Sequence, residues 1–176
     1  MFQKHLEWIE KQGTDYQSTA SKEEVSRLLG DSYYFRKPRD LSNALSWYNK
    51  SLEINPNQKR VLETLAIAYH TTKSYSQALE FYKRRMELGI DSANANILKN
   101  AGFCALSLAN AGEGGEDLDL DMEEDMGNGE VVEPVDTTPK APAEDYYKLA
   151  IGYLTEFAKF NIGDAKVVAL LANTYL

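Results

Sequence analysis

The sequence predicts an all-α fold built from antiparallel helix pairs, and three observations carry that prediction. Apolar residues recur at offsets of three and four through most of the 176 positions, the spacing that lines one face of a helix. A pattern of small and aromatic residues occurs twice: Gly30, Tyr33, Ala44 and Tyr48 first, then Ala66, Tyr69, Ala78 and Tyr82. Between the periodic stretches stand helix stops, namely Lys37-Pro38, Asn55-Pro56-Asn57, Lys73-Ser74 and Gly89.

Taken in order, residues 2–12 read as a short amphipathic helix carrying Phe2, Leu6, Trp8 and Ile9, closed by Gly13, Thr14 and Asp15. Ser21 and Glu24 have the spacing of a capping box, so the next helix is expected over about 22–35. Proline lacks an amide hydrogen and restrains the residue before it, so Lys37-Pro38 separates that helix from one over 41–53. The second of these is expected to turn Ala44, Leu45, Tyr48 and Leu52 inward, with Trp47 a further candidate for that face. Helices over 58–71 and 75–88 repeat the arrangement, with Gly89 as C-cap, and a fifth covers 93–110. From 112 to 142 the periodicity stops among glycines, prolines and dense carboxylates, the composition of a flexible acidic insert. Helices resume over 144–160 and from about 165 to the end.

Charge is distributed very unevenly. The formal net charge is −8, yet Glu113 to Asp136 alone hold eleven acidic residues and no basic one. Removing them leaves 16 acidic against 19 basic residues, a net +3. The acidity therefore belongs to the insert. A concentrated negative run disfavours nucleic-acid phosphates, and no basic stripe overcomes it. Cys104 is the lone cysteine, which excludes an intrachain disulfide, and its apolar neighbours Phe103, Leu106 and Leu108 make it a buried small hydrophobe. No stretch approaches the ~20 apolar residues of a membrane-spanning helix. The N-terminal residues form one side of a helix already under way, and Ala169 to Leu176 run on without a stop signal. The chain is therefore expected to be one domain, 1–176, excerpted from a longer protein. That leaves its compartment open between cytoplasm and periplasm.

The doubled pattern resembles the tetratricopeptide repeat (TPR), in which small residues let two helices approach and aromatic rings fill the space beside them. The first repeat would span about Glu23 to Asn57 or Gln58, with two extra residues near Pro38, and the second Lys59 to Ser92. A third would begin at Ala93, with Asn100, Ala101 and Cys104. Its second helix would be delayed by the insert to Ala143, Tyr147 and Ala150, and a fourth repeat would begin near Ala165. Ser26 and Leu62 depart from the family's first large aromatic, and Ile90 from its usual proline. The resemblance implies a TPR-like right-handed superhelix whose first helices line a concave groove for a peptide or protein segment. Matched position by position, that groove would take Arg27, Asp31 and Tyr34, then Arg60, Glu63, Ile67 and His70, then Asn94 and Ile97. The family's carboxylate-clamping version would need basic and amide side chains where this chain has Arg27, Asp31, Thr64, Asn94 and Leu98. Asp31 would repel a carboxylate, so that ligand is not expected.

Other chemistries lack their motifs. If Asp117, Asp119 and Asp121 opened a calcium-binding loop, the sharp turn would fall on Met122 and the twelfth position on Asn128, which rules out an EF-hand. His5 and His70 lie in different regions of the chain, the first before the repeats and the second within them, and neither belongs to an HExxH motif. Gly112, Gly114 and Gly115 precede carboxylates that would repel phosphate. No catalytic, cofactor or metal site is therefore expected, and the chain reads as a non-enzyme. The leading expectation is a protein-binding module. The alternatives are a structural solenoid segment that spaces or joins other domains, with self-association through exposed repeat ends, and the non-catalytic part of an enzyme.

Overall fold

Offsets of three and four put one apolar stripe on each predicted helix, and burying those stripes against one another makes helix pairs. The computed structural model describes residues 19–112 and 141–174, together with Lys4. Over these residues the fold is all-α, with seven α-helices in antiparallel pairs. They are α1 (Thr19–Tyr34), α2 (Leu41–Ile54), α3 (Lys59–Thr71), α4 (Tyr75–Glu87), α5 (Asn96–Gly112), α6 (Ala143–Phe160) and α7 (Ala165–Thr174). A 3-10 turn, Ser92–Asn94, precedes α5. The helix expected over 2–12 and the flexible insert lie outside the described residues. The described chain falls into two compact units, divided inside α3 between Leu65 and Ala66.

The first unit is built on the α1–α2 pair. Asp40 starts α2 by accepting a hydrogen bond from the Asn43 amide at 3.1 Å, which satisfies a donor the helix cannot satisfy itself. From there Leu41, Ala44, Leu45, Tyr48, Ser51 and Leu52 turn inward. Ala44 is fully buried, and Gly30 lies so close to Tyr48 that a β-carbon added to it would fall 2.5 Å from the ring. Ser51, also fully buried, donates to the Glu23 carbonyl at 3.1 Å, and Gln58 donates back to the Ser51 carbonyl at 2.9 Å. This bracket joins α1, α2 and the residue leading into α3. Ser26 and Leu62, the two departures from the repeat's aromatic, are both buried.

The start of α1 differs from expectation. Ser21 lies inside α1, whose described residues run from Thr19, and not at its cap.

In the second unit a continuous core runs from Ala66 through α4, α5 and α6 to Val167 of α7. Ala66 and Ala78 are fully buried, as the repeat register expects. Lys73, with φ 60°, turns the chain between α3 and α4. After α4, Gly89 takes φ 94°, just beyond the C-cap Leu88. Ser92–Asn94 is a 3-10 turn and α5 starts only at Asn96, where one helix over 93–110 was expected. The cause is local: Asp91 accepts from the Ala93 amide at 2.9 Å while Asn94 reaches back to the Asp91 amide at 3.1 Å. That reciprocal cap closes a separate turn.

α5 is buried nearly all round, from Ala101 to Ala109, because α4 and α6 both pack on it. On α6 the inward residues are Tyr146, Ala150, Leu154 and Phe157. A β-carbon on Gly102 would meet Leu154 at 2.7 Å, a close approach that the choice of Asn100, Ala101 and Cys104 as repeat landmarks passed over. Tyr147 ties the far ends of the pair by donating to Asn110 at 3.0 Å.

Candidate functional site

The expected groove residues belong to both units and are described unit by unit. In the first, α1 places Arg27 and Asp31 one turn apart, and their side chains meet at 3.1 Å. Arg60, from the first turn of α3, reaches the same Asp31 oxygen at 3.5 Å. Tyr48 of α2 donates to the other oxygen at 2.8 Å. Three helices thus converge on one carboxylate. Burial first, and then the hydrogen bond to Asp31, push the Tyr48 phenol well above its ordinary pKa, so it stays a donor. Arg27 adds a longer contact to Glu24, at 4.0 Å.

Exposure separates these residues. The Arg60 side chain is 65% exposed, against 25% for Arg27 and 18% for Asp31. Glu63 is half-buried. Tyr34 is buried: its ring packs edge-on against Tyr48 at 6.2 Å and beneath the Arg39 guanidinium at 4.4 Å. It closes the α1–α2 pair and offers little surface to a ligand.

In the second unit, Ile67 is half-buried and His70 buried. The His70 ring stands edge-on to Tyr75 and Tyr82, with the Tyr82 hydroxyl 3.4 Å from Nδ1. Burial pushes the imidazole down to about 4, so it is neutral at pH 7. Asn94 is engaged with Asp91, and Ile97 is a core residue of α5. The buried members follow from one ambiguity: a helical period marks the face toward a neighbouring helix but cannot separate it from a ligand face immediately beside it. Tyr48, which anchors Asp31, was assigned to the core alone, since nothing in its spacing shows that its hydroxyl reaches across to α1.

Cys104 is fully buried, and burial raises its thiol far above the ordinary range, so it is no nucleophile at neutral pH. Among the described residues no group of three or more His, Cys, Asp or Glu is placed to hold a metal ion. No described helix is long and apolar enough to cross a membrane.

The fold is similar to that of the N-terminal domain of stress-induced protein-1 (STI-1) from C. elegans. The match covers 91% of this chain and 99% of that one, with a TM-score of 0.54 and 16% sequence identity. No family model and no curated protein matches the sequence. At that identity the likeness speaks for the fold alone, and with the antiparallel helix pairs described above the chain has an all-α, TPR-like helical repeat fold.

Proposed function

We propose that this chain is a non-catalytic protein-interaction module that holds an extended segment of a partner on the α1–α3 face of its first unit. The observation that supports the reading most directly is the Arg27–Asp31–Arg60 cluster. Asp31 is fixed by Tyr48 and Arg27, and it orients a largely exposed arginine without consuming all of its donors. A guanidinium offers five donors in a planar fork, which suits backbone carbonyls and carboxylates of an extended chain. Because Asp31 already supplies a negative charge, the face suits a segment of mixed polarity better than a terminal carboxylate.

The test begins with a pull-down from the native host, followed by isothermal titration of the purified partner against the full chain. The double substitution Arg27→Ala, Arg60→Ala is expected to weaken binding at least tenfold while leaving the melting temperature within a few degrees. Unchanged affinity would reject this face as the binding surface and leave the fold assignment intact.

A second reading, a structural segment that stacks on further repeats or on another copy, is favoured by one observation. Ile162 is 95% exposed, with Val168 and Phe160 exposed nearby in sequence, at the α6–α7 end of the second unit. Sedimentation velocity across a hundredfold concentration range would separate the two, since only stacking predicts association abolished by Ile162→Glu.

A further inference from the structure

The connection between α1 and α2, residues 35–40 with sequence FRKPRD, meets Asp31 through its backbone, the Phe35 amide donating to the Asp31 carbonyl at 2.9 Å, while the carboxylate is engaged by Arg27, Arg60 and Tyr48. Phe35 is 61% exposed and stands edge-on to Tyr34, with ring centroids 5.0 Å apart. A single exposed phenylalanine is ordinary. What sets this one apart is a short loop tied at nearly every residue and bordered by cations.

Arg36 donates to the Pro38 carbonyl at 3.2 Å, pairs with Asp40 at 3.2 Å and lies 5.4 Å from the Tyr33 ring centre. Arg39 donates to the Tyr34 carbonyl at 2.9 Å and covers the face of that ring. The Asp40 amide returns to the Tyr33 carbonyl at 3.1 Å, and its side chain caps α2. Lys37 is exposed. Within residues 35–40, three cations and one exposed ring therefore stand beside one carboxylate, Asp40, which is engaged by Arg36 and by the start of α2.

From this arrangement we infer that the 35–40 loop is a second docking point, for an acidic partner peptide that sets an apolar side chain against Phe35 and carboxylates against Arg36, Lys37 and Arg39. Charge complementarity selects the occupant. Aromatic and arginine side chains in a braced setting are also what concentrate binding energy in protein interfaces, because little conformational freedom is lost on contact. An anionic membrane fits less well, because Asp40 offsets one of the three basic residues and one ring is a small anchor. This inference rests on different residues from the α1–α3 face and stands or falls separately.

The test is an amide NMR titration of the 15N-labelled full chain with a blocked nonapeptide of alternating aspartate and leucine. Parallel titrations use the same peptide with asparagine for aspartate, a thymidine 12-mer, and phosphatidylserine-containing vesicles scored by co-sedimentation. The expected result is saturable shift changes centred on residues 33–41, at least tenfold weaker for the asparagine peptide. Phe35→Ser, and separately the pair Arg36→Gln, Lys37→Gln, should each weaken binding at least fivefold with little change in melting temperature, whereas Arg60→Ala should leave it unaltered. The proposal is overturned if the acidic peptide produces no saturable change, or if its changes centre on Arg27 and Arg60 and vanish with Arg60→Ala. Tighter binding of the oligonucleotide or the vesicles at residues 33–41 would overturn it as well.

Discussion

At the scale of single residues, the fold rests on places where a side chain is missing or a charge is suppressed. Gly30 is the clearest, because its α-carbon faces the Tyr48 ring and a methyl group there would lie at 2.5–2.9 Å from ring atoms. Tyr48 is also tethered by its hydroxyl to Asp31, so the ring cannot swing aside without breaking that bond. Gly30→Ala is therefore expected to destabilise the chain by about 1–3 kcal/mol, despite alanine's better helix propensity, as measured by urea melts. A neutral result would mean the α1–α2 pair packs differently. His70 makes a prediction about pH. Burial lowers its folded-state value from 6.5 to about 4, so the folded protein resists a proton that the unfolded chain accepts. The resulting stability is fully present above pH 6.5 and is lost as pH falls from there toward 4, with a ceiling of roughly 3 kcal/mol. Melts at pH 7 and pH 5 should show a drop in the native chain that His70→Gln largely removes. Equal drops in both would assign the acid sensitivity to other groups.

At the scale of the element, most helices could be located from sequence because each carries its own apolar offsets and is followed by a residue that cannot continue it. Pro38, Asn55 with Pro56, Lys73 and Gly89 all interrupt the chain where expected, since proline, asparagine and glycine act locally. Starts were less legible. Ser21 and Glu24 satisfied a capping pattern inside a helix, and the Asp91–Asn94 cap detached a 3-10 turn from α5. Of the candidate site, the Arg27–Asp31 contact was implicit in an offset of four. The contribution of Tyr48 and the burial of Tyr34, His70 and Ile97 were not, because they depend on how neighbouring helices pack. The α1–α2 junction supplies the test at this scale. Asp40 caps α2 and pairs with Arg36, and the Asn43 side chain, which donates to the carboxylate at 2.8 Å, is the main cause of its lowered pKa. Asp40→Ala should cost about 1 kcal/mol, and Asp40→Asn, which keeps a capping oxygen, clearly less. Equal losses would mean that the charge on Asp40 matters more than the cap.

At the scale of the molecule, the helix pairs and the charge separate into different parts of the sequence. The α5–α6 pair is held by its own residues: Gly102 against Leu154, Ala101, Ala105 and Ala150 fully buried, and Tyr147 bonded to Asn110 near the point where α5 ends. None of those contacts uses residues 113–136, which carry eleven carboxylates and no cation. The cost of closing a loop grows only as the logarithm of its length, so shortening the connection between α5 and α6 changes that cost by less than about 1 kcal/mol as long as the linker spans the gap. Replacing residues 113–136 with twelve alternating glycines and serines is thus expected to preserve helicity by circular dichroism and a single cooperative melt. The same replacement turns the formal charge from −8 to +3. At pH 7 the native chain should bind an anion exchanger, and the shortened one should pass through it and bind a cation exchanger. Retained helicity with a melting temperature lowered by more than about 5 °C would show that the acidic segment contributes packing of its own, and would require α5 and α6 to be treated together with it as one folding element.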